Sequence, residues 1–429
     1  MFDNGIFLHY LHLFWFYFPL TVIGIYRWSS WIFRRICANY YRPYNPSSYQ
    51  NHVPTFGIVT PVYNEDPLLF KNALESWYGN KPDEIIAVID ERDQDCIQIF
   101  KEFASDKNNL KLLVTSQPGK RPALVKGIKT SKTELLALVD SDVIWELNIK
   151  DNLCAPFRNE QIGGVAARQN AIENKYLWQK IADMLWDQRN FVDWASQSVM
   201  GQSITCLSGR TAVYRRKIIL PLLDEFVNET IFGRRKESGE DKCLTRLIQR
   251  EGWYTYYQSN AQIYTEAVRN FKTFWIQKVR WTRNTYNSDL VSLYEGWIWK
   301  RPFLAFATLD KFISIFTIFI GPASLGIALY HHHYIIALSI ILLWLTGRTI
   351  KLLPHFKQKP NDIPYIPLYV LSSMWIALAK LYALVTIRDQ KWIRPKNRKE
   401  VRKKMVKKIK NYLLTSEILT LIVFVLIIL

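Results

Sequence analysis

Two blocks of this chain are too apolar to sit in water, and they bracket a third that is not. Residues 6–26 carry no formal charge, and a run of about twenty such residues is long enough to cross the hydrocarbon core as a helix. A second apolar block opens near Pro302 and recurs down to the run 413–429. Between them residues 54–290 read like a water-soluble protein, with enough chain for one ordinary core. The pattern predicts three parts: a transmembrane anchor over 1–30, a soluble domain over 54–290, and interfacial and transmembrane helices over 291–429.

Charge orients the membrane parts. Arg27, Arg34 and Arg35 follow the first run, and no basic segment precedes it or small-residue cleavage site follows it. It therefore reads as an anchor rather than a signal peptide, with its C-terminal end in the cytoplasm. Residues 312–330 and 334–345 (extended to about 352) read as a helical hairpin turning at His331, His332 and His333. Three consecutive residues do not share a helix face, so they suit an exposed turn better than a metal site. Residues 363–387 are apolar but interrupted by Pro364, Pro367 and Lys380. If they spanned the membrane, the basic stretch 388–410 would lie outside, against the charge bias, so an interfacial or re-entrant helix is expected. With the run 413–429 the total is about four spans, and the soluble domain lies in the cytoplasm.

The net charge of +19 suits nucleic acid, an anionic lipid bilayer or a phosphorylated substrate. Zinc-finger spacing and recognition-helix patterns are missing, which leaves the bilayer and the substrate rather than nucleic acid. Five scattered cysteines without a CxxC pair argue against a disulfide framework and suit a reducing compartment.

Within 54–290, β-branched apolar runs at 56–62, 85–90, 112–115 and 135–140 alternate with helical stretches such as 68–77. That alternation predicts an α/β fold with a mainly parallel sheet, whose ligands collect at the carboxyl ends of strands. Those ends carry Tyr63-Asn64-Glu65, Asp90 and Asp140-Ser141-Asp142. Two aspartates two residues apart can offer oxygens to Mg²⁺ or Mn²⁺. Lys120 and Arg121 open a helix behind Gly119, where a phosphate would be favoured, although the segment also reads as a solvated basic turn. Glu240 and Asp241 open another helix; they are either first-turn acids or a general base that deprotonates a hydroxyl. Gln277, Arg280 and Trp281 put an amide, a guanidinium and an indole at helical spacing, as amphipathic helices also do.

Taken in order, Thr60-Pro61-Val62-Tyr63-Asn64-Glu65, Asp90, Gly119-Lys120-Arg121, Asp140-Ser141-Asp142, Ser208-Gly209, Gly239-Glu240-Asp241 and Gln277-x-x-Arg280-Trp281 resemble the processive family 2 glycosyltransferases with a GT-A fold. The resemblance runs from about 55 to 395, and within the family it looks nearest to class I hyaluronan synthases. It implies a membrane-integrated inverting transferase in the plasma membrane. Such an enzyme takes a UDP-sugar donor (UDP-GlcNAc, UDP-GlcA or both), uses Mg²⁺ or Mn²⁺, and extends a polysaccharide acceptor. It also implies roles: Thr60, Tyr63, Glu65, Lys120 and Arg121 at the donor, Asp90 on the uridine, Asp140 on the nucleotide and Asp142 on the metal. Ser208 and Gly209 would line the acceptor site, Asp241 would be the base, Gln277, Arg280 and Trp281 the acceptor and pyrophosphate wall, and Trp392 part of the site.

Three departures stand out. The family's Gly-Asp-Asp reads Gly239-Glu240-Asp241, the proline of its Ser-Gly-Pro is Arg210, and its Trp-Gly-Thr-Arg reads Trp392-Ile393-Arg394-Pro395. Two rival readings stay open. One is a transferase adding a single sugar to a lipid or other acceptor; the other is a membrane protein that binds nucleotide-sugar without turnover.

Overall fold

The computed structural model describes residues 4–46 and 54–389, with the backbone alone for 4–17 and 19. Trp392, Arg394, the closing run 413–429 and most of the basic stretch lie outside the described residues.

The strands are β1 (Phe56–Val62), β2 (Glu84–Asp90), β3 (Leu110–Thr115), β4 (Leu135–Val139), β5 (Ile144–Trp145), β6 (Ile162–Ala171), β7 (Thr211–Arg215), β8 (Thr230–Ile231), β9 (Arg234–Arg235) and β10 (Tyr254–Thr265). Eight of them form one sheet in the order β3-β2-β1-β4-β7-β6-β10-β5, while β8 and β9 pair separately. The run β3-β2-β1-β4 is parallel. Every residue of β2 and β4 is buried, as a parallel sheet covered on both faces requires. Full burial of an aliphatic side chain stabilises by about 1.5–3 kcal/mol. The apolar strand bodies thus hold the sheet, and the polar residues at their ends are left for other work.

β7 enters the sheet backwards. It pairs antiparallel with β4 in the register Val139↔Thr211 and antiparallel with β6. The residues just before β7 therefore lie beside those just after β4, which brings Ser208-Gly209-Arg210 next to Asp140-Ser141-Asp142. The α/β sheet is as expected; this reversed strand was not foreseen.

Among the described residues three helices are long and apolar enough to cross a membrane: Pro302–Tyr330, Tyr334–Gln358 and Pro360–Val385. The first two form the expected hairpin, turning at His331–His333. In the third, a 3-10 turn over Pro360–Tyr365 takes up Pro360 and Pro364, and Pro367 falls in the first turn of the α-helix Ile366–Val385. No proline remains in the interior of Ile366–Val385, which runs as one continuous α-helix.

Buried charges tie these helices to the domain. Asp310 accepts from the Tyr26 hydroxyl and from Arg27, each at 2.8 Å. Asp289 of helix Phe271–Glu295 is 1% exposed and pairs with Lys242 at 2.8 Å and Lys311 at 2.6 Å, joining three helices at one carboxylate.

Arg121 and Lys120 are held by different partners. Arg121 is 2% exposed, donates to the Phe226 carbonyl and the Glu229 carboxylate at 2.7 Å each, and sits over the Phe226 ring at 5.2 Å. It is paired within the core, whereas Lys120 reaches Asp140 and Glu240. The reason is the helix itself: neighbouring residues point about 100° apart. Thr60 is likewise 0% exposed, within β1. Arg121→Met leaves Glu229 with Arg246 alone (3.0 Å), and breaking a buried pair costs about 3–5 kcal/mol. The variant is expected to lower the denaturation midpoint of the detergent-solubilised protein while leaving UDP affinity within about two-fold. A selective loss of UDP affinity at unchanged stability would return Arg121 to the donor site.

Candidate active site

The chain turns sharply after β1. Asn64 takes a left-handed φ of 51°, which asparagine tolerates, and Asp66 then caps helix Pro67–Tyr78 by accepting from the Leu69 N–H at 3.0 Å. The turn leaves Glu65 facing the end of β4, where it accepts from the Ser141 hydroxyl at 2.6 Å. Burial and then the nearby Asp140 push the Glu65 carboxyl up, against the Ser141 hydrogen bond. Burial, then Asp140 and Glu65, push Asp142 up to about 7. Three carboxyl groups are crowded where charge is expensive, and an oxygen-only donor set of this kind fits a hard divalent cation.

Asp90, at the end of β2, is gripped by Arg92 through Nε at 2.7 Å and a terminal nitrogen at 2.6 Å. The same guanidinium lies 5.3 Å from the centre of the Tyr63 ring. Arg92 had no signal in the sequence, since it lies outside every motif.

Lys120 opens its helix behind Gly119, whose φ of 115° suits glycine. Its ammonium reaches Asp140 and Glu240, each at 2.5 Å. Burial opposes the charge, but the two carboxylates outweigh it and hold Lys120 above the usual lysine range. Burial also works against the Glu240 charge, and Lys120 overcomes it to hold that carboxyl down to about 2. One ammonium thus joins the end of β4 to the start of helix Glu240–Arg250.

Asp241 lies beyond that bridge. It accepts from the Lys242 N–H at 2.7 Å and the Gly209 N–H at 3.4 Å. Burial, followed by Glu240 next to it, raises its carboxyl above the ordinary aspartate range, with Lys120 and the two N–H groups opposing. Gly209 has little room: a Cβ there would come within 3.3 Å of the Lys120 ammonium and 3.4 Å of Glu240. Gly239 caps the helix at φ 79°, and a Cβ on it would meet Asn284 at 2.8 Å. Asn284 also accepts from Ser238 at 3.0 Å and Lys236 at 3.2 Å, so the loop before Asp241 is tied to helix Phe271–Glu295.

That helix carries Gln277, Arg280 and Trp281. Gln277 and Trp281 are partly buried and Arg280 is exposed. Ser208, partly buried, accepts from the Thr211 N–H at 3.2 Å through its carbonyl and opens the turn into β7. Arg210 was noted only as a departure, but it is 9% exposed and lies over Trp186 at 4.1 Å and Trp281 at 5.5 Å.

A second group of ligand types lies elsewhere. Asp183, Asp187 and His355 could together hold a metal ion. They are answered by protein groups instead: His355 touches Asp187 at 2.8 Å and Asp362 at 3.1 Å, Lys359 pairs with Asp183, and Lys180 with Asp362 at 2.7 Å. A cation there would have to displace Lys359.

Residues 54–284 match the family described as glycosyltransferase like family 2. The chain is 26% identical over 366 residues to a hyaluronan synthase of Streptococcus pyogenes, covering 81% of this chain and 85% of that one. It is 25% identical over 363 residues to a type 2 glycosyltransferase of Pyricularia oryzae, covering 78% and 73%. Among solved structures, the mannosyltransferase PcManGT of Pyrobaculum calidifontis in complex with GDP-Man and Mn²⁺ superposes with a TM-score of 0.56 at 16% identity, over 85% of this chain and 96% of that one. That likeness fixes the fold as GT-A. The match over residues 54–284, more than half of the sequence, together with a sheet whose reversed strand sets Gly209 beside Asp140 and Asp142, shows that the chain belongs to glycosyltransferase family 2.

Proposed function

We propose that this protein is a membrane-integrated inverting glycosyltransferase that polymerises sugar from UDP-sugar donors into a polysaccharide, its catalytic domain on the cytoplasmic face of the plasma membrane. The observation that carries the reading is the Lys120 bridge, which holds Asp140 and the Glu240-Asp241 pair against each other. Donor and acceptor chemistry are thereby set face to face. The orientation rests on the arginines that follow the first apolar run.

Asp241 is the general base. Its raised carboxyl has more proton affinity than an ordinary aspartate, as a base that must take a hydroxyl proton needs. The Gly209 and Lys242 N–H groups fix the direction of its oxygens. The acceptor oxygen attacks the anomeric carbon, the bond to the diphosphate breaks, and the proton passes to Asp241. Arg280 neutralises the leaving diphosphate and Trp281 offers an indole face to the acceptor sugar. Asp142, with Asp140 and Glu65 near it, would hold the Mg²⁺ or Mn²⁺, which when bound supplies charge to the donor diphosphate. Arg92 and Tyr63 stand beside Asp90 where the uracil would bind, so the base has to share Asp90 with the guanidinium or displace it. Polymer growth is supported by the relation to a hyaluronan synthase over most of both chains and by three apolar helices joined to the site-bearing helices.

UDP release by the purified protein in detergent with Mn²⁺ tests the reading, each UDP-sugar being supplied alone and in pairs. Turnover giving long product supports it, whereas a product extended by one sugar replaces polymerisation with single transfer. Asp241→Asn is expected to lower kcat about 10²–10⁴-fold. Because Asp241 acts ionised and its carboxyl is raised, kcat/KM should fall as pH drops through a value above the ordinary aspartate range. That acid limb should shift or vanish in Asp241→Asn. Asp142→Ala should raise the Mn²⁺ concentration for half-activity at least about ten-fold; unchanged metal dependence would remove Asp142 from the metal site.

A further inference from the structure

The start of helix Glu240–Arg250 is held on both flanks by one other helix. On the near side Asn284 of helix Phe271–Glu295 accepts from the Ser238 hydroxyl at 3.0 Å and from the buried Lys236 ammonium at 3.2 Å. An ammonium can only donate, which fixes the amide with its oxygen toward the loop. Asn284 also lies directly on Gly239, where a Cβ would come within 2.8 Å of its Cγ. On the far side Lys242, 7% exposed, pairs with Asp289 of the same helix at 2.8 Å. Asp241 sits between these two ties, two residues after Gly239 and one before Lys242.

The helix that makes both ties also carries Arg280 and Trp281. Asn284 follows Trp281 by three residues and Arg280 by four, so it shares their face about one turn further on. The Asn284 amide therefore sets where Asp241 stands relative to the Trp281 indole. The Asp289 contact is a buried ion pair that holds the helix body, whereas the partly buried Asn284 reaches the turn itself.

That relation has a chemical meaning. Stacking on an indole fixes the plane of a sugar ring but lets the ring slide within it, whereas a base takes its proton from one hydroxyl. Neighbouring hydroxyls of a pyranose are about one hydrogen-bond length apart. A shift of the base by that much, against a sugar resting on Trp281, presents a different hydroxyl for attack.

We infer that Asn284 is a positioning residue for Asp241 that determines which hydroxyl of the acceptor sugar is glycosylated, and so the linkage of the product. The inference rests on the proposed transfer reaction, with Asp241 as base and Trp281 as acceptor wall, and adds the residue that relates the two. It applies to a polymer and to a single added sugar alike.

The test compares Asn284→Leu, which keeps the size and removes the oxygen, with Asn284→Asp, which keeps an oxygen for Ser238 and Lys236. The full chain in detergent with Mn²⁺ is read by UDP binding through intrinsic tryptophan fluorescence, by UDP release at saturating donor, and by methylation analysis of the product. Asn284→Leu is expected to lower kcat about 10–10²-fold, as a displaced reacting group does, while UDP affinity stays within about two-fold of the parent protein. Its product should contain a linkage absent from that of the parent. Asn284→Asp should recover most of kcat and the parent linkage. Ser238→Ala removes one of the two donors to the Asn284 oxygen and should give the same new linkage with a smaller loss of kcat. It carries the test if the leucine variant does not bind UDP. Parent linkage in every variant that binds UDP, or equal loss of kcat in the leucine and aspartate variants, would overturn the inference and leave the transferase reading standing. No UDP release by the parent protein from any donor would remove the transfer reading and this inference with it.

Discussion

The site depends on one shared cation. Asp140 ends a sheet strand and Glu240 begins a helix a hundred residues later, and two carboxylates facing each other across a crevice repel. The Lys120 ammonium between them turns that repulsion into a link. It also divides the acids: Glu240 is held fully ionised, whereas Asp241 next to it, lacking the direct contact, is raised. Lys120 is about one quarter exposed, so solvent weakens the pair.

Much of this arrangement was legible in the sequence because it follows from periodicity. Apolar runs of strand length end in acids, so Glu65, Asp90 and Asp140 had to fall on one edge of a parallel sheet. Glycine before Lys120 and before Glu240 marked two helix starts, and both are where the residues said. What stayed hidden depends on direction and on the third dimension. Lys120 and Arg121 are adjacent letters, yet only one faces the crevice. Thr60 sits in a recognisable motif but is one of the strand's inward residues. Arg92 and Gln169 lie in no motif, and their partners are Asp90 two residues away and Arg210 forty-one residues away. No pattern of spacing reports a contact of the second kind.

The membrane helices are not a passive anchor. Asp289 receives Lys242 from the helix that carries Asp241 and Lys311 from the first long apolar helix. Asp310 receives Arg27 from the N-terminal helix Asn4–Tyr40, with Arg34 of the same helix at 3.6 Å. A buried charge is tolerated only while its partner stays, so each pairing resists a shift of its apolar helix against its neighbour. The candidate base and the membrane segment thus share one anchoring point.

The alignment of β7 on β4 has a different kind of consequence. A hydrogen-bonded ladder cannot be displaced by a fraction of a residue; strands move past each other in steps of about 3.3 Å, and each odd step turns every side chain to the opposite face. Gly209 meets Asp241 because Thr211 sits opposite Val139. The fit between the two halves of the crevice is therefore digital: an inserted or deleted residue between Leu207 and Thr211 cannot detune the chemistry gradually. Changes to reactivity that come by small degrees have to come from the helices and loops, whose packing is continuous, and not from the sheet.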